Sequence, residues 1–171
     1  MFSQPTLLDR SLGLGRAKTA ILVSIKEIIK RVQLETFFSN RSKEWDGEEL
    51  LKHLIWRTRA ERRECFYLVS FDPENSLKRI ELLSKGSLQE VGVHFRDIAK
   101  ILLDDCATSA LIAHNHPEQT CKPSEQDWIL FHELKNLLEP LEIELKDQWI
   151  LGKDGVFSCH INNFINTKKS H

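Results

Sequence analysis

The chain is 171 residues long, 41% hydrophobic and 29% charged, with a net charge of −1. That composition is that of an ordinary soluble globular protein, long enough for one good core. The near-neutral balance makes no global demand for a nucleic-acid partner. No segment approaches the ~20 apolar residues needed to span a bilayer.

The charge is uneven along the chain. Residues 1–34 carry Arg10, Arg16, Lys18, Lys26, Lys30 and Arg31 against Asp9 and Glu27, a local balance of +4 that leaves −5 for the remainder. Gly13-Leu14-Gly15 is a turn signal. From Arg16 to Val32, Ala20, Ile21, Ile25, Ile28, Ile29 and Val32 recur at helical spacing. Residues 35–46, with Ser39-Asn40-Arg41-Ser42, read as a linker. Asp46 with Glu49 three later starts a helix close to a capping box, and Leu50, Leu51, Leu54 and Ile55 form its apolar face to about Ala60.

Cys65 to Phe71 is a β-rich run, Asp72-Pro73-Glu74-Asn75 is a turn, and Leu77 to Leu83 returns as the second strand of a hairpin. Phe95 to Leu103 fits a helix, with Phe95, Ile98, Ala99, Leu102 and Leu103 on one side. A buried strand follows at 108–113. Ser124 to Leu138 is a second amphipathic helix, stopped by Pro140. Ile143 to Leu151 and Val156 to Cys159 read as a closing hairpin around Gly152-Lys153-Asp154-Gly155. From residue 64 the order β-β-α-β-α-β-β lacks regular βαβ alternation. The expected fold is therefore α/β of the α+β type, a mixed sheet flanked by helices. The tail 166–171 is expected to be loose.

Cys65, Cys106, Cys121 and Cys159 include no Cys-x-x-Cys clip. The opening Met-Phe-Ser-Gln-Pro lacks a basic region followed by an apolar one. Together these imply free thiols in a reducing cytoplasm.

The stretch 114–127, His-Asn-His-Pro-Glu-Gln-Thr-Cys-Lys-Pro-Ser-Glu-Gln-Asp, carries the chemistry. His114 and His116 are two apart, so in an extended segment their side chains share a face. With Asp127 they supply two imidazoles and a carboxylate, the ligand set of a catalytic zinc that keeps one position open for water. Ser124-x-x-Asp127 before an amphipathic helix is also a capping-box start, which accounts for both residues without any metal. The two roles conflict only in part, because an aspartate in a first helical turn can still face a strand end. A water-activating site needs a base, and Glu64 at the head of the first strand is a candidate. Glu61-Arg62-Arg63-Glu64 is equally a charge run of the kind that faces water.

His114-Asn115-His116-Pro117 followed by Ser124-x-x-Asp127 resembles the signature of the JAMM (JAB/MPN) metalloproteases, and the asparagine resembles their RadC branch. Glu64-Cys65-Phe66, Gly86-Ser87-Leu88, Val93-His94-Phe95-Arg96-Asp97 and Asp147-Gln148-Trp149-Ile150-Leu151-Gly152 resemble further segments of that branch, so the likeness covers roughly 46–160. It implies a cytidine-deaminase-like JAMM/MPN core over 46–165, with one zinc held by His114, His116 and Asp127. Glu64 would be general acid/base for the attacking water, and Ser124 would hydrogen-bond the tetrahedral oxyanion. The implied activity is hydrolysis of a peptide or isopeptide bond in a peptide or protein substrate. Two departures stand out: Glu118-Gln119-Thr120-Cys121 replaces the branch's usual loop, and Gln148 replaces a histidine. Cys121 reads as a spectator thiol, with a substitute metal ligand as the other reading. Gly13-Leu14-Gly15-Arg16-Ala17-Lys18 resembles a shortened helix-hairpin-helix turn within a helical segment 1–45. Through residues 1–34 it would give weak, sequence-independent DNA binding by phosphate contacts, and a plain helical hairpin is the other reading. The alternative function is a DNA-associated repair or accessory protein whose metal domain is idle or serves a partner.

Overall fold

A computed structural model of the chain describes residues 17–22, 24–25, 28–29, 46–59, 61–86, 94–117 and 119–165. The chain divides into two compact units, Met1–Arg41 and Ser42–His171. In the first, 17–22, 24–25 and 28–29 are helical, as the spacing of the isoleucines predicts. The glycine turn at 13–16, the linker at 35–45, the segment 87–93, Glu118 and the tail 166–171 lie outside the described residues. No helix among the described residues is long and apolar enough to cross a membrane.

The second unit is a mixed six-stranded sheet flanked by helices. Helix α1 spans Gly47–Thr58. Asp46 is its N-cap, and the carboxylate accepts from the Glu48 amide at 2.9 Å. Strand β1, Cys65–Phe71, is buried along its whole length. The turn after it is closed by Asp72, whose Oδ1 accepts from Ser76 N, and Asn75 takes the left-handed conformation there. Strand β2, Leu77–Lys85, pairs antiparallel with β1 and runs two residues beyond the expected end. Helix α2 is Phe95–Asp104.

Strand β3, Ser109–Asn115, is fully buried and takes in His114 and Asn115, both of which the sequence reading placed beyond its end. Polar side chains hid the strand's last two residues. Their backbone pairing continues all the same, with Phe66 against His114 and Asn115 against Leu151. Helix α3, Glu125–Leu138, follows. Pro140 ends it through a short 3-10 turn, and Glu142 adopts φ 57° before the chain enters β4, Glu144–Gly152. Strand β5, Gly155–Ser158, and a sixth strand, β6, Asn163–Ile165, complete the sheet. The sequence reading missed β6. Three residues at the edge, Asn163 and Phe164 exposed and Ile165 half-buried, are too few to show a periodicity.

The strand order is β2-β1-β3-β4-β5-β6, with β3 and β4 the parallel pair and every other pair antiparallel. A parallel pair needs a crossover, and α3 supplies it. One face of the sheet packs Leu68, Ile112 and Ile150 against Ile98 and Leu102 of α2 and Phe131, Leu134 and Leu138 of α3. Burying each of these side chains contributes about 1.5–3 kcal/mol. On the other face Arg57 of α1 lies over the Tyr67 ring at 5.3 Å. This layering fixes the carboxyl end of β3 beside the first turn of α3.

Candidate metal centre

His114 is the last residue but one of β3, and His116 follows one residue past the strand. The His116 amide donates to Leu151 O at 2.8 Å, extending the β3–β4 ladder beyond the assigned strand. The period of two then puts both imidazoles on one face. Asp127 reaches them from the first turn of α3, because Ser124 caps that helix: Ser124 Oγ accepts from Asp127 N, and the Asp127 carboxylate accepts from Ser124 N at 2.7 Å. The capping box is therefore real. It coexists with convergence on the histidines and does not replace it.

His114 Nε2 lies 2.9 Å from Asp127 Oδ1, and His116 Nε2 lies 3.5 Å from Asp127 Oδ2. The two Nε2 atoms are 3.1 Å apart. One candidate ligand atom from each residue falls within 4.8 Å of the others. Among the described residues, this is the group of histidine, cysteine and carboxylate side chains that could hold a metal ion.

The donor chemistry fits a divalent cation. His116 Nδ1 faces Thr120 O at 3.1 Å. That bond needs a proton on Nδ1, so in neutral His116 the Nε2 lone pair is free for a metal. Two imidazole lone pairs and a carboxylate crowded into one buried corner repel unless protons or a cation stand between them. The bond to Asp127 raises the proton affinity of His116 above its ordinary value. Burial opposes this, and the Asp127 charge, the Thr120 carbonyl and the Glu64 charge assist it. Burial also works against ionisation of Asp127, but the bonds from His114, His116 and Ser124 outweigh it and hold the carboxyl well below the usual carboxylate range. Asp127 is thus an anion ready to ligate.

Glu64 stands one residue before β1 and is half-buried. Phe66, two residues on, stacks on the His114 ring at 4.5 Å with an interplanar angle of 16°. Alternation along an extended segment therefore turns Glu64 to the face that carries the histidines. A cavity of about 560 Å³ opens beside His116, between Ile55 and Thr58 of α1 and the β4–β5 turn at Gly152 and Asp154.

Three supports were not legible beforehand. Gln148 is fully buried, and its Nε2 donates to Asp127 O at 3.2 Å, tying the first turn of α3 to β4. Gln148 therefore braces the backbone of a candidate ligand. Asp147 accepts from Gln148 N, Trp149 Nε1, Ser158 Oγ and His160 N, which pins β4 to the chain after β5. Two consecutive polar residues running directly into the apolar Trp149-Ile150-Leu151 of a strand were the available signal for both.

The third support is the loop 119–121. Cys121 is buried, and its amide donates to Asp154 Oδ1 at 2.8 Å. Burial, with Asp154 assisting, pushes its thiol up to about 11. Cys121 lies outside the cluster of candidate ligands. The loop rests on Gly152, where an added Cβ would strike the backbone of Thr120 and Cys121. Backbone cannot swing aside as a side chain can. Gly152→Ala is therefore expected to displace Thr120 O from His116 and weaken zinc binding about 10–100-fold, the usual cost of losing such a support. Chelator competition checks this, and unchanged affinity would show that the loop does not orient His116.

A mixed sheet with His-x-His at a carboxyl edge and an aspartate from the following helix turn defines a JAB/MPN-type domain. Residues 45–164 match the RadC-like JAB domain family, and the chain belongs to it. It is similar to a UPF0758 protein of Ralstonia pickettii, 33% identical over 146 residues that make up 85% of this chain and 64% of that one. A UPF0758 protein of Ectopseudomonas mendocina is 30% identical over 144 residues, 84% of this chain and 64% of its own. Another, from Acinetobacter baylyi, is 29% identical over 157 residues, 92% and 58% respectively. The chain thus matches about six tenths of the length of these relatives.

Proposed function

We propose that this chain is a zinc-dependent hydrolase of the JAMM type, acting on a peptide or isopeptide bond. The observation that carries the reading is the convergence of His114, His116 and Asp127 within 4.8 Å, with His116 lining a cavity and the Glu64 charge near enough to act on His116. A zinc ion held by these three residues would supply Lewis acidity, polarising a carbonyl and making water a competent nucleophile near neutral pH. The chain does the rest. Glu64 takes the proton from the attacking water and returns it to the leaving amine. The wall of α1 and the β4–β5 turn confine the substrate beside His116. Asp127 and Thr120 O hold the imidazoles in place, so little reorganisation is needed during reaction.

The test of the reading is direct. Zinc-loaded protein is incubated with a mixed peptide library and with isopeptide-linked lysine peptides, and the products are read by mass spectrometry. New termini that disappear on chelation and return with zinc support it. No cleavage of either class by fully metallated protein would remove it.

Ser124 has two assignable roles, and one variant separates them. As a cap, its loss costs about 0.5–2 kcal/mol of stability. As a donor to the oxyanion it matters only in the transition state, so its loss appears in kcat with KM nearly unchanged. Ser124→Ala is expected to show both losses. Normal turnover per folded molecule, with the stability loss alone, would leave Ser124 as a cap.

A further inference from the structure

We infer that Asn115 is the residue that positions Glu64, and that the asparagine between the two histidines is a backbone clamp. This rests on the reading of Glu64 as the base. Strand β1 starts at Cys65, so Glu64 lies just outside the ladder that would otherwise fix it. The Asn115 side chain extends that ladder. Its Oδ1 accepts from Cys65 N at 2.8 Å, and its Nδ2 donates to Arg63 O at 3.3 Å. The two bonds bracket Glu64 from either side in sequence. A third bond, Gly86 N to Glu64 O at 2.8 Å, holds its carbonyl from the β2 side. The backbone around Glu64 is therefore held at three points, while its carboxylate takes part in none of them.

The placement follows from alternation. His114 and His116 project to one face, and Asn115 between them cannot be a ligand with them. It is 5% exposed, and a buried primary amide needs partners. It finds them in a segment 50 residues earlier in the chain. One three-residue stretch thus supplies two ligands and the clamp for the base. A base displaced by about 1 Å can lose about 10²-fold in rate, so such a clamp has a catalytic consequence without touching substrate.

The test uses the full chain as wild type, Asn115→Ala, Asn115→Asp, Glu64→Gln, and the two Asn115 variants each combined with Glu64→Gln. Amide exchange on metal-free protein reads the clamp. In Asn115→Ala the Cys65 amide is expected to exchange at least about tenfold faster while Val69, inside β1, is unchanged; in Asn115→Asp, which keeps an acceptor, Cys65 stays protected. Cobalt(II)-loaded protein reads the consequence, through the pH midpoint of its visible spectrum. Glu64→Gln should shift that midpoint, Asn115→Ala should shift it in the same direction, and the double variant should shift no further than Glu64→Gln. Unaltered Cys65 exchange in Asn115→Ala, or additive midpoint shifts, overturns the inference alone. No cobalt uptake, or a Glu64→Gln midpoint equal to wild type, overturns the reading of Glu64 and the inference with it. If Asn115→Ala does not fold, Asn115→Asp decides. It cannot donate to Arg63 O, and the effect of its own charge would persist beside Glu64→Gln. A midpoint shift that vanishes in that background acts through Glu64; one that persists overturns the inference.

Discussion

His116→Ala is expected to abolish stoichiometric zinc binding. Wild-type protein, stripped of adventitious metal and dialysed against limiting zinc, should hold about one zinc per chain, and the variant close to none. The geometry makes this site sensitive. Three candidate ligands leave no redundancy, and the His116 ring is oriented by a separate bond, from Nδ1 to Thr120 O. Protons compete for the same imidazole. Because Asp127 raises the proton affinity of His116 in the metal-free protein, the competition starts above the ordinary imidazole value of 6.5. Zinc occupancy should therefore fall as pH drops through that region. A fold control accompanies the measurement: zinc should raise the thermal midpoint of wild type and leave that of the variant unmoved, by linkage. Equal zinc content in both proteins would place the metal elsewhere.

Much of this site can be read along the chain, and the reason is local physics. The strand 65–71 ends at Asp72-Pro73 and holds Phe66, Tyr67, Val69 and Phe71, so its observed bounds coincide with the reading. The helix at 125–138 announces itself through Ser124 and Asp127, three apart, and through apolar residues at helical spacing. What escaped is what depends on pairing between distant segments. Asn115 reads as a polar residue between histidines until Arg63 and Cys65 arrive from across the sheet. Gln148 reads as a substitution in a strand until α3 lays the Asp127 carbonyl over it. The end of β3 was misplaced for the same reason: His114 and Asn115 carry no strand propensity of their own, and their neighbours β1 and β4 impose the extended form. The three residues of the candidate centre could be grouped from the sequence because their spacing is set within one strand end and one cap. Their supports were not, because those are set by the sheet.

Glu64→Gln is expected to keep zinc and lose hydrolysis. The amide matches the carboxylate in shape, so the backbone bonds that surround it, Asn115 to Arg63 and Cys65 and Gly86 to Glu64, should persist. Zinc content should persist too, because Glu64 lies outside the ligand group. The proton chemistry should not. A glutamine cannot accept the proton of the attacking water, and that step contributes typically about 10²–10⁴-fold. The loss should appear in kcat and in kcat/KM together, since it affects the transition state and spares ground-state binding. Three outcomes divide cleanly. Full zinc with turnover lowered by that factor supports the assignment. Full zinc with full turnover moves the base to another residue. Lost zinc makes Glu64 a ligand, and the carboxylate that faces the histidines from the head of β1 would then complete the metal's coordination instead of serving as the base.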